Sequence, residues 1–137
     1  GFVGEPPVNP FGFVASARRE DGYRDVLAAN PRHSGALGYL GLLAHQAGHS
    51  EAAIDLLHKA IASDRRNPEP HYNLARILSD TGRDDEAILH NRKVLEINPA
   101  FPGAHNNLAA LLLLHGRPAD ALATAIQGLR KDDAPGR

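Results

Sequence analysis

Apolar residues in the middle of this chain fall on helical stripes. His71, Leu74, Ala75 and Leu78 stand at i, i+3, i+4 and i+7, one face of a helix. Pro68 and Pro70 sit at its start, where a first turn tolerates proline. Gly82 breaks the stripe and supplies a residue that can take positive φ after a helix C-terminus. A second helix is predicted from about Asp84, with Ala87, Ile88, Val94 and Leu95 on its inner side. Asp84, Asp85 and Glu86 suit the positive end of its dipole. Asn98-Pro99 stops it, because proline cannot continue the hydrogen-bond ladder.

The same pattern recurs at a step of 34 residues. Gly48, Gly82 and Gly116 keep that step, as do Ala53, Ala87 and Ala121, and Leu40, Leu74 and Leu108. Gly41, Ala75 and Ala109 form a fourth column, of small residues. They predict close approach of paired helices, Gly41 with Ala53, Ala75 with Ala87 and Ala109 with Ala121. One hairpin cannot bury its apolar face alone, but stacked hairpins can. The predicted fold is therefore all-α: an α-solenoid of helix-turn-helix hairpins over 34–67, 68–101 and 102–133. "YRDVLAANP" predicts a half repeat before them, over 16–33, with an extended segment at 1–15 and a short tail at 134–137.

A 34-residue helix-turn-helix with Leu-Gly or Leu-Ala, a turn glycine, an alanine in the second helix and a closing proline resembles the tetratricopeptide repeat (TPR). "YLGLLAHQAGHSEAAIDLLHKAI" and "NLARILSDTGRDDEAILHNRKVLEINP" carry the resemblance, which covers about 34–133. Two positions depart from it. Asn91 stands in a usually apolar column, filled by Leu57 one repeat earlier, and Arg65 replaces a closing proline. Both are expected to loosen local packing without changing the fold.

The resemblance implies a concave groove lined by the first helices, which takes a peptide or a partner's helix. Its lining residues are predicted to be Tyr39 and Leu42, then Glu69, Tyr72, Asn73 and Arg76, then Asn106, Asn107 and Ala110. Chaperone-adaptor TPR domains grip a C-terminal carboxylate with lysine, arginine and asparagine. The matching columns here hold Gly38, Leu42, Asn73, Gly103 and Asn107, so only Asn73 fits. Asn73 and Asn107, each just before its key leucine, instead resemble the asparagine ladder of O-GlcNAc transferase superhelices. An amide offers both donor and acceptor, which matches a peptide backbone whatever its side chains.

Composition narrows the function further. The net charge is −1, so no basic excess points to nucleic acid, and the chain has no cysteine for disulfides or thiolate sites. No apolar run approaches the ~18 residues of a membrane span. Eight histidines invite a metal reading. His71 and His105 share a column and could converge, and His45 and His49 are spaced i, i+4 across Gly48. Both pairs are read as packing or turn residues, and no H-E-x-x-H, nucleophile elbow or phosphate loop occurs. No metal, cofactor or catalytic residue is expected.

"GFVGEPPVNPFGF" cannot be a regular helix and carries three of the four phenylalanines. It is expected to pack along the first helices, fill a groove or dock on another subunit. Its Asn9-Pro10-Phe11 matches a short endocytic-adaptor ligand, against an alanine- and arginine-rich composition of bacterial flavour. The chain starts at Gly1 and has no methionine, as a processed protein or fragment does. The expected location is cytoplasmic, with the periplasm open because a removed leader leaves no trace.

The run Leu111 to Leu114 divides by column. Leu108, Leu111 and Leu112 fall in apolar columns. Leu113 and Leu114 replace His45 and Gln46, then Ser79 and Asp80, and are expected to form an apolar end covered by another chain, a downstream segment or a ligand. The function that follows is a non-catalytic scaffold or adaptor binding a protein or peptide. The alternatives are the TPR part of a larger bacterial transferase, or an assembly subunit that self-associates through its N-terminal segment or last repeat.

Overall fold

A computed structural model describes residues 17–133 of the chain, with side chains over 21–130. The N-terminal segment and the tail lie outside the described residues, and so do the expectations that concern them. Seven helices follow one another: α1 (Ala17–Ala29), α2 (Ser34–Gln46), α3 (Ser50–Ser63), α4 (Glu69–Asp80), α5 (Asp84–Ile97), α6 (Ala104–Leu114) and α7 (Pro118–Asp133). The described residues form no strand.

Helices pair as α2 with α3, α4 with α5 and α6 with α7, and each pair packs on the next. A continuous core runs through all three pairs. It includes Leu40, Leu43, Ala53 and Leu57, then Leu74, Ile77, Leu78 and Ala87, then Leu108, Leu111, Leu112 and Ala121. Three members of the leucine run's apolar columns are thus core, as the columns require.

The turns repeat as closely as the core. Gly48, Gly82 and Gly116 have φ of +90°, +81° and +69°. After each, a backbone N–H reaches back five residues: His49 to Ala44 at 2.8 Å, Arg83 to Leu78 at 2.7 Å and Arg117 to Leu112 at 2.9 Å. That closure satisfies carbonyls which a helix end leaves open. The second helices end differently. The side-chain oxygens of Asn30, Asp64 and Asn98 accept the N–H two residues on, at 3.1, 3.1 and 3.0 Å. These Asx turns, 34 residues apart, follow α1, α3 and α5. Arg65 lies exposed beside one of them, so the turn forms there without proline.

The predicted close approach of Gly41 to Ala53 is present in the first hairpin. A Cβ added to Gly41 would meet the Leu57 Cγ at 3.0 Å and the Ala53 carbonyl at 3.2 Å. Ala75 and Ala87 are both fully buried.

Candidate binding groove

The first helices place several polar side chains around a groove of about 290 Å³. Tyr72, Ala75, Arg76, Ser79 and Asp80 of α4 form one wall. Asn107, Ala110, Leu111 and Leu114 of α6 form the other, and Asn91 of α5 lies between them. The groove exists because α4 and α6 stand apart, whereas α2 packs directly on α4. A larger and more open depression of about 460 Å³ lies between α5 and α7, edged by Arg92, Glu96, Arg117 and Asp120.

Each wall residue is held differently. Tyr72 stacks obliquely on Phe101, ring centroids 5.0 Å apart. Its hydroxyl lies 3.0 Å from where a Gly103 Cβ would stand. Gly103 has φ of +82°, which only glycine adopts without strain, so the loop into α6 can pass close to Tyr72. Asp80 is tied to His45 of α2, whose Nε2 lies 2.9 Å from its Oδ2. Arg76 is exposed at the rim.

The expected lining residues thus separate. Tyr72, Arg76 and Asn107 share the α4–α6 groove, and Leu114 joins them there. Asn73 and Tyr39 line a different crevice, of about 10 Å³, between α2 and α4. Tyr39 also stacks flat on Tyr23 of α1, centroids 5.1 Å apart, which seats the half repeat on the first hairpin. Asn106 is exposed on α6.

The histidine pairs resolve differently from their spacing. His71 does not converge with His105. Its Nδ1 lies 2.9 Å from the Nδ1 of His90 on α5, and His58 of α3 approaches His90 edge-on with centroids 6.2 Å apart. His105 packs instead against Gly128 of α7. Burial holds the His90 imidazole down at about 4, helped by the like charges of His71 and His58. Burial also lowers His71, with Lys93 adding to the effect. Among the described residues no group of three or more His, Cys, Asp or Glu is arranged to hold a metal. None of their helices is long and apolar enough to cross a membrane.

At the end of the array the apolar surface is wider than the leucine run alone. Leu113 and Leu114 are 61% and 77% exposed, and Leu122 and Leu129 of α7 are 63% and 64% exposed. The α7 residues were missed in the sequence, although their columns (Ile54 and Ile88, then Ile61 and Leu95) were legible.

Paired antiparallel helices, stacked in register and leaving a polar-walled groove on their first-helix side, define a helical-repeat scaffold. Tetratricopeptide repeat family matches cover residues 44–90 and 91–123. The chain belongs to that family. It is 39% identical over 59 residues to Cell division cycle protein 27 homolog B of Arabidopsis thaliana, a stretch covering 43% of this chain and 8% of that protein. It is 47% identical over 45 residues to Protein O-mannosyl-transferase TMTC1 of Homo sapiens, covering 33% of this chain and 5% of that protein. The chain therefore spans only a small fraction of these relatives. Among solved structures, a MamA protein superposes with a TM-score of 0.75 at 22% identity, covering 85% of this chain and 64% of that one. The Thermobaculum terrenum O-GlcNAc transferase superposes with a TM-score of 0.64 at 34% identity, covering 68% of this chain and 18% of the transferase.

Proposed function

We propose that this chain is a non-catalytic interaction scaffold whose α4–α6 groove binds a peptide or an extended segment of a partner protein. The observation that carries this reading is the juxtaposition of Tyr72, Arg76 and Asn107 around one groove of about 290 Å³. Asn107 has the donor and acceptor that a backbone amide needs, and Arg76 adds a rim cation able to hold a carbonyl or carboxylate. Asn73 would act as a further rung on the α2–α4 side, and Asn106 as an exposed contact beside Asn107. Similarity to an O-GlcNAc transferase agrees with the asparagine columns. The exposed leucines at the end of the array would give a second, apolar contact for a partner.

A peptide-display selection against the intact chain tests this. Selected peptides are expected to lose about tenfold in affinity with Asn107→Ala, roughly the loss of one well-made hydrogen bond. Unchanged affinity for every selected peptide in both Asn107→Ala and Arg76→Ala would place binding elsewhere. A second reading, the repeat part of a larger transferase, draws on the O-GlcNAc transferase and TMTC1 similarities. The length of the native reading frame decides it.

A further inference from the structure

The apolar surface at the end of the array is wider than a following hairpin would cover. Leu122 stands in the column of Ile54 and Ile88, and Leu129 in that of Ile61 and Leu95, which the stacked hairpins bury or half-bury. Leu114 and Ile126 stand in other columns. The counterparts of Leu114 are Gln46 and Asp80, and those of Ile126 are His58 and Arg92. All four are polar and remain exposed after the next hairpin has stacked. A further hairpin in the same register would therefore leave Leu114 and Ile126 in water. Yet in the last hairpin both columns turn apolar, at 77% and 40% exposure.

These residues spread the face over two helices, Leu113 and Leu114 on α6 and Leu122, Ile126 and Leu129 on α7. An occupant that covers them all presents more than the single first helix of a further repeat. The chain's own last hairpin has that form. Its α7 stripe is centred on Ile126, with Leu122 four residues before and Leu129 three after, offsets that share one helix face. Near-equal spacing about a centre is what a two-fold axis needs. With two α7 helices antiparallel, Ile126 meets Ile126, and Leu122 of each copy meets Leu129 of the other. The exposed side chains offer on the order of 500 Å² of apolar surface, the larger part of the about 800 Å² that each partner contributes to a stable interface.

We infer that the last hairpin is a self-association surface, on which two copies of this chain dock α7 against α7 about a two-fold axis at Ile126. Leu113 and Leu114 of each copy extend the contact from α6. This pairing gives the apolar end of the array its partner, and it does not depend on a peptide in the α4–α6 groove.

Light scattering of the intact chain over a concentration series tests this. The mass is expected to rise from the 14.7 kDa of one chain to a plateau at twice that value. Ile126→Arg and Leu114→Asp each install the residue that the preceding hairpin carries in that column, so both should fold with unchanged helical circular dichroism. Ile126→Arg should halve the plateau mass, and Leu114→Asp should move the transition to higher concentration. The chain has no cysteine, so Ile126→Cys adds a single thiol at the axis. Copper phenanthroline should oxidise it to a disulfide-linked dimer, while Leu89→Cys, exposed on α5, should link far more slowly. The mass of one chain at every concentration would overturn this inference, and peptide binding at Asn107 in that monomer would leave the groove reading standing. A dimer that selects no groove peptide would do the reverse. A doubled mass that survives Ile126→Arg, or equal linking of the two cysteine variants, would place association on another face and overturn it. A mass that climbs past two chains without a plateau would mean head-to-tail stacking and overturn it too.

Discussion

Gly128 shows how much a single position can hold in a repeat hairpin. A Cβ there would stand 2.7 Å from the His105 Cβ, a contact that neither backbone can relieve without moving α6 from α7. Alanine would gain about 1 kcal/mol of helix propensity over glycine. The clash costs about 1–3 kcal/mol. The balance predicts that Gly128→Ala lowers the melting temperature in a calorimetric scan, and a raised one would mean that the helices part freely. The Asx residues are a second case. Asn30, Asp64 and Asn98 keep the 34-residue step, with proline following two of them and Arg65 following the third. The side-chain hydrogen bond, rather than the proline ring, closes that turn.

At the scale of elements, the junction of α3, α4 and α5 carries buried histidines that make it sensitive to acid. His90 titrates near 4, below its ordinary 6.5, because burial and the charges of His71 and His58 oppose protonation. Lys93 acts in the same direction, while Glu86 opposes it at His90 and Glu96 opposes it at His71. Between those two values the unfolded chain binds more protons than the folded one, so stability rises with pH across the window and falls as pH drops from about 6.5 to about 4. Denaturant midpoints at pH 7 and pH 5 should differ accordingly. His90→Asn should shrink that difference, and an undiminished difference would assign the effect to other groups. The sequence paired His71 with His105 by column. The fold pairs His71 with His90, because residues on the two helices of one hairpin lie nearer than equal columns of successive hairpins.

Across the whole molecule, the repeat shows what its last face lacks. Ile54 and Ile88 are buried in the core, while Leu122 in the same column is open. Leu113 occupies the column from which His45 reaches Asp80 on the following first helix. The end surface is thus chemically a junction face, and an apolar partner suits it. Leu113→Ser combined with Leu114→Asp should change the mass measured by light scattering or weaken partner binding. If neither moves, the face is idle. Leu114 adds a second consequence, because it also lines the groove: peptide affinity and end-face association should respond together to its substitution.

The 34-residue step, the helix stripes and the turn glycines determined the hairpins and their stacking, because those depend on local periodicity and backbone φ. Tertiary structure alone decided which polar residues meet. Asn73 and Asn107 read as equal rungs, yet packing assigns them to different cavities, since α2 closes on α4 and α4 stands off from α6. Asn91 read as a packing flaw. Only the three-dimensional junction shows that it borders an open groove, because what lies beside a buried side chain depends on how the hairpins stack.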